Sequence, residues 1–226
     1  MVEDTLDTIS VVIPTYITNP SQLSMSIRCI DLCRKFTKLD FQLIIVETGT
    51  NYLSDYSDIY IYEKKRTTAD KSINRAFFCC DTKYSVLLTN DVEVDEGWLE
   101  SLISPFHLFN DCGISTLASD QFSHIKQDKI EEGIWGSVFM INSKYARFDE
   151  NYINSWEDSD LWMSMYSKGY KMYRNFNCVV HHKPGQTVYK DKLTQDNYDK
   201  NREYFINKWK NSNIKMYDIL TKGYIV

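Results

Sequence analysis

The chain has 226 residues, a net charge of −5 and a hydrophobic fraction of 43%. It is long enough for one α/β domain, and its mild acidity argues against a dedicated nucleic-acid binder or a partner of acidic lipid. Six cysteines without a C-x-x-C pair or paired zinc spacing argue against a disulfide framework and against a zinc module.

In chain order, Ile9 to Ile13 is a short β-branched apolar run that meets Pro14, the pattern of a buried strand. Asn19-Pro20 predicts a helix start, with Asn as cap and Pro in the first turn, and Leu23, Ile27 and Ile30 follow at helical spacing. Phe41 to Val46 and Ile59 to Tyr62 read as strands. Asp70 to Cys80 reads as a helix, Tyr84 to Leu88 as a fourth buried strand and Gly97 to Phe109 as a helix. Further on, Val138 to Ile141, Lys171 to Tyr173 and Cys178 to Val180 read as strands. Ser159 to Lys168 and Asp196 to Trp209 read as helices.

This alternation predicts a mostly parallel sheet covered by helices on both faces. Ligands of such sheets bind beyond the carboxyl ends of the strands. Three polar loops fall there: Pro14-Thr15-Tyr16, Glu47-Thr48-Gly49 and Thr89-Asn90-Asp91. No apolar run approaches the roughly 20 residues of a membrane span. Met1 to Thr8 is acidic and has no signal-peptide core. The expectation is a soluble, cytoplasmic chain, at most peripheral to a membrane, in the host cytoplasm if its source is viral. No linker or repeat divides it, so one domain is expected, with a nucleotide-sugar-binding half over about 9–120 and an acceptor half over about 121–226.

Four segments, in this order, resemble family 2 glycosyltransferases of the GT-A fold. They are Ser10 to Tyr16, Leu87 to Leu99 with its acidic cluster and Trp98-Leu99, Trp156 to Leu161 followed by Lys168-Gly169-Tyr170, and Val179 to His182. The resemblance runs from about Ser10 to about Trp209. It implies a Rossmann-like, mostly parallel sheet with a smaller mixed acceptor-side region. It also implies transfer of a sugar from a nucleotide-diphosphate donor, a UDP-sugar first, to a glycan or other hydroxyl acceptor, with inversion. A divalent cation, Mn²⁺ or Mg²⁺, neutralises the diphosphate leaving group in such chemistry and needs few protein ligands.

The resemblance points to Asp91 and His182 as metal ligands, with His181 as the alternative to His182. Glu93 is a third ligand if the strand before it continues. The family's Asp-x-Asp motif has Thr89 at its first position here, leaving Asn90 as a helper. Asp158 is the implied base for the acceptor hydroxyl, with Glu157 beside it. Donor contacts are expected from Pro14, Thr15, Tyr16, Glu47, Lys71, Asn74, Arg75, Asn90 and Gly136. Trp135 is expected as an acceptor platform, and Lys183-Pro184-Gly185-Gln186 as a closing loop.

Two other readings are compatible with the sequence. One is a viral-type transferase acting on a modified DNA base, disfavoured by the low basic content. The other is a sugar-nucleotide-binding module without catalysis, disfavoured by the retained acidic residues. A dinucleotide oxidoreductase is disfavoured because no G-x-G-x-x-G follows the first strand.

Overall fold

A computed structural model describes residues 8–133, 136–183, 192–212, 217 and 220–221. Among the described residues, nine strands form one sheet. They are β1 (Ile9–Tyr16), β2 (Gln42–Thr48), β3 (Ile59–Glu63), β4 (Tyr84–Leu88), β5 (Val92–Glu93), β6 (Cys112–Ser119), β7 (Ile130–Glu132), β8 (Val138–Asn142) and β9 (Lys171–His182). Their spatial order is β3-β2-β1-β4-β8-β6-β9-β5, with β7 also against β9. Five helices accompany them: α1 (Pro20–Phe36), α2 (Ala69–Phe78), α3 (Trp98–Leu108), α4 (Glu157–Ser167) and α5 (Lys192–Trp209).

The first four strands named in the sequence are parallel, as expected of that half. The second half is mixed. β8 runs antiparallel to both β4 and β6, while β9 runs parallel to β6. These directions bring the ends of β1, β2, β3, β4, β6 and β9, and the start of β8, to a single edge.

Period-2 alternation splits the core between the two faces. Val11, Ile13, Leu43, Ile45, Val86 and Leu88 pack with Cys29, Ile30 and Cys33 of α1 and with Trp98 and Leu99 of α3. Val12, Ile44, Val46 and Leu87 pack with Ile73 and Phe77 of α2 and with Leu161 and Trp162 of α4. Asn19 caps α1 by accepting from Gln22 N, with Pro20 at its first turn. The strands run further than their apolar cores suggest. β1 continues through Pro14 to Tyr16, because its pairing with β4 stops at Val12 and one edge beyond it is open to a residue without an N–H. The regions 171–173 and 178–180 belong to a single twelve-residue strand, β9, with a register shift against β6. No helix among the described residues is long and apolar enough to cross a membrane.

Candidate active site

Asp91 and His182 meet at the carboxyl edge. Asp91 leaves the end of β4, and His182 ends β9, where Val92 of β5 pairs with it. Lys183 N donates to Asp91 O at 3.1 Å, locking the two chain segments together. The side chains are each 16% exposed, with Asp91 Oδ1 3.4 Å from His182 Nε2. Adjacent ligands of one small divalent cation stand about 3 Å apart, given bonds of about 2.1 Å, so this spacing suits a shared ion. His182 Nδ1 lies 2.8 Å from Ser137 Oγ and also contacts Gln121 Oε1. A carbonyl oxygen only accepts, so Nδ1 carries a proton and Nε2 is the nitrogen that faces Asp91, the one whose lone pair a cation would take. An imidazole nitrogen with a carboxylate oxygen is a donor set suited to Mn²⁺. No group of three or more such side chains that could hold a metal occurs among the described residues.

Glu93 is not brought to this pair. It turns instead to Arg28 and Lys183, with bonds of 2.8 Å to Arg28 Nε and to Lys183 Nζ. The hydrogen bonds from those two cations lower its carboxyl to about 2. β4 does not continue through Asp91: it stops at Leu88, Asn90 and Asp91 form a turn, and β5 is only Val92–Glu93, so strand alternation does not carry Glu93 to the face of Asp91. His181 is likewise turned away, set between Asp120 Oδ2 at 3.0 Å and Asp95 Oδ2 at 3.2 Å.

The donor-side expectations divide. Tyr16 is half-exposed, and the Arg66 guanidinium lies 4.6 Å from its ring centre. Pro14 is half-buried beside it. Thr15 is buried, and its hydroxyl donates to Val46 O at 3.3 Å. Asn90 donates to Ser26 Oγ at 2.8 Å, which fixes the loop to α1. Glu47 is engaged within the chain itself. It is fully buried, and it accepts from Thr50 Oγ1, Tyr52 N at 3.0 Å, Leu53 N at 2.9 Å and Tyr60 OH at 2.8 Å. Its carboxylate therefore organises the loop after β2. Asn74 is also spent internally. It bonds the Phe148 backbone both ways, at 2.9 and 2.8 Å, and Glu150 at 3.0 Å. Arg75 pairs with Glu63, a buried carboxylate that also accepts from Thr48, Thr67 and Ser72. Lys71 is half-buried next to Asp70.

Gly136 has a different reason to be glycine from the expected approach of a sugar. A Cβ built on it would stand 1.6 Å from Thr116 Oγ1 and 2.7 Å from Thr116 Cβ. The close neighbour is β6, not open space. Gly136→Ala is expected to lower unfolding stability by about 2–3 kcal/mol or more, because a short branched side chain in a sheet has little room to move. Urea unfolding checks this, and Thr116→Ala in the same background should recover part of the loss. The expected platform Trp135 and residues 184–186 of the expected loop lie outside the described residues.

The acid pair stands at the start of α4. Glu157 and Asp158 are half-buried. The Asp158 Oδ1 accepts from Ser159 N at 2.6 Å and from Ser159 Oγ at 3.3 Å. Burial raises the Asp158 carboxyl above its ordinary value. Burial, and then Asp158, raises Glu157 to about 8. The chain reaches this helix through two non-glycine residues in the left-handed region, Asn154 at φ 54° and Trp156 at φ 71°. Each costs about 1 kcal/mol or more, so the surroundings must hold them. Asn154 Oδ1 accepts from Ala69 N at 2.7 Å. Asn201 of α5 donates to Ile153 O at 2.9 Å and to Ser155 O at 3.1 Å. The Trp156 ring packs 5.0 Å from that of Phe205. Asp160, one turn on, ties α4 to α5 through Lys208 Nζ at 2.9 Å, Trp209 Nε1 at 2.7 Å and Tyr152 OH at 3.1 Å.

The Ala69–Asn154 bond also locates the acid pair. α2 begins just after β3 ends, at the carboxyl edge, so the start of α4 beside it shares that edge with Asp91 and His182. The sequence alone does not single out Ser137, Gln121, Glu63, Arg66 or Asp70. The signal for Asp70 was present, an acidic residue opening a helix after a strand, but it has the form of an ordinary dipole contact.

A nine-stranded mixed sheet with its polar residues gathered at one edge is the architecture of nucleotide-sugar transferases of the GT-A fold. A mannosyltransferase from Pyrobaculum calidifontis, solved with GDP-Man and Mn²⁺, superposes with a TM-score of 0.66 at 10% identity, covering 94% of this chain and 67% of that one. GalNAc-T7, solved with UDP, GalNAc and Mn²⁺, gives a TM-score of 0.67 at 13% identity, covering 97% of this chain and 54% of that one. The present chain thus spans about two thirds of the first protein and about half of the second. No curated protein matches by sequence. The profile described as "Glycosyl transferase family 2" matches residues 10–175, and the chain belongs to that family of glycosyltransferases.

Proposed function

We propose that this glycosyltransferase is an inverting, divalent-cation-dependent enzyme that moves a sugar from a nucleotide-diphosphate donor, a UDP-sugar first, to an acceptor hydroxyl in glycan or surface-polysaccharide synthesis. The carrying observation is the Asp91–His182 pair at 3.4 Å, on the same sheet edge as the half-buried Glu157–Asp158 pair. Asp158 takes the proton of the acceptor hydroxyl. The freed oxygen attacks the anomeric carbon, the bond from that carbon to the β-phosphate oxygen breaks, and the nucleoside diphosphate leaves. Asp91 and His182 would hold a Mn²⁺ or Mg²⁺ ion, which supplies charge neutralisation for that leaving group. Tyr16 and Arg66 stand where a base and a phosphate would meet the end of β1, with Pro14 and Thr15 shaping the wall. The chain acts as one unit, with 9–120 holding the donor and 121–226 the acceptor, in the cytoplasm.

A thermal-shift screen of UDP-, GDP- and dTDP-sugars, each with and without Mn²⁺ or Mg²⁺, tests this reading. The expected result is stabilisation by one nucleotide class that needs the cation, followed by turnover of that donor. Equal response to all three, or none with any cation, would overturn it.

A further inference from the structure

α4 starts without the usual support. A helix commonly opens on an extended residue whose side chain, a Ser, Thr, Asp or Asn, accepts from the first turn. Here the cap is Trp156, in the left-handed region at φ 71° and with no side-chain bond to the helix. Asn154, two residues earlier, is left-handed as well, at φ 54°. Such residues persist only where the surroundings over-determine them. Asn201 of α5 is placed to do that, and it is 4% exposed. Its amide nitrogen donates to Ile153 O at 2.9 Å, to Ser155 O at 3.1 Å and to Ser155 Oγ at 2.8 Å. Its carbonyl oxygen accepts from Ile153 N at 3.3 Å. Those contacts bracket Asn154 and reach the residue before Trp156. One turn further along α5, Phe205 packs its ring against that of Trp156.

We propose that Asn201 is a positioning residue for the reaction: by holding residues 153–155 it fixes the left-handed turn that aims Asp158, and this makes α5 part of the working site. The proposal rests on the transferase reading given above, in which Asp158 is the base. Asp158 stands two residues beyond Trp156, so a change in that φ re-aims its carboxylate. Misplacing a reacting group by about 1 Å costs on the order of 100-fold in rate. The Asp91–His182 pair is held by β4, β5 and β9 instead, so donor binding does not pass through this turn.

Asn201→Ala removes all four bonds and keeps a good helix former in α5. It should lower kcat by about 10- to 100-fold and change the donor KM by about twofold at most. Added to Asp158→Asn, it should lower the residual kcat by about twofold at most, because a residue that acts through another is silent once the other is gone. In the protein without donor, the Ser159 and Asp160 amides, bonded to Asp158 Oδ1 and Trp156 O, should exchange hydrogen about tenfold faster in Asn201→Ala. The amides of β4 should be unchanged. An equal kcat loss in both backgrounds overturns the proposal, as does exchange at Ser159 and Asp160 that is unmoved or that rises equally in β4. Should Asn201→Ala not fold, Asn201→Asp takes its place, since it keeps the bond from Ile153 N and loses the three donated ones. A natural chain that turns over no donor sinks the transferase reading, and the exchange rates alone then decide whether Asn201 holds the turn.

Discussion

Asp158→Asn is expected to lower kcat for sugar transfer by about 10²- to 10⁴-fold, the range a positioned general base contributes, and to leave donor affinity nearly unchanged. The substitution is a clean one for a geometric reason. Both Ser159 contacts fall on the Asp158 Oδ1, which an asparagine carbonyl can replace, so the first turn of α4 keeps its shape. What is lost is basicity at Oδ2, the carboxylate oxygen that Ser159 does not engage. The partly buried setting raises that basicity above an ordinary carboxylate, which matches the base better to a sugar hydroxyl. Steady-state kinetics with the donor found by the screen, paired with calorimetry of donor binding, checks the split. A kcat within tenfold of the natural chain would remove Asp158 as the base, whereas a change confined to KM would place it in binding.

The alternation of strands and helices was legible because buried parallel strands are plain apolar runs. Tyr84–Leu88 is buried at all five positions and was bounded correctly from its residues alone. β6 was not legible. Its sequence, Cys-Gly-Ile-Ser-Thr-Leu-Ala-Ser, is small and half polar, yet all eight residues are buried between β8 and β9. Its polar groups find partners that only the assembled sheet supplies, such as the carbonyl of Val138 for the Thr116 hydroxyl at 2.7 Å. β9 was broken in two by Arg174 to Asn177 for a related reason. Asn175 is buried, and its amide reaches Ser101 O at 2.9 Å and Ser104 Oγ at 3.0 Å on α3. The site shows the same division. Residue type and position after a strand, together with the family resemblance, nominate Asp91 and His182, with His181 as the alternative. The same signal nominated Glu47, whose carboxylate is claimed by loop N–H groups five and six residues on. Sequence shows which side chains can bind; it does not show which of them the fold has already used.

That distinction separates Asp91 from Glu93, two acidic residues with one residue between them. With Asp91→Ala, the gain in nucleotide-diphosphate affinity that Mn²⁺ brings should fall on the order of 100-fold, since a cation bridging protein and phosphate is worth several kcal/mol. His182→Ala should do the same, because its Nε2 is the partner 3.4 Å away and its proton is held on the other nitrogen by Gln121 and Ser137. Glu93→Gln should retain the cation response. Its carboxylate already belongs to Arg28 and Lys183, and an ion pair of that kind at the surface contributes about 1 kcal/mol or less to stability. Calorimetric titration of the diphosphate with and without Mn²⁺ reads all three variants on one scale. If Glu93→Gln abolished the response and Asp91→Ala spared it, the cation would sit on the outer face of β5, and the sheet edge would lose its claim to be the donor site.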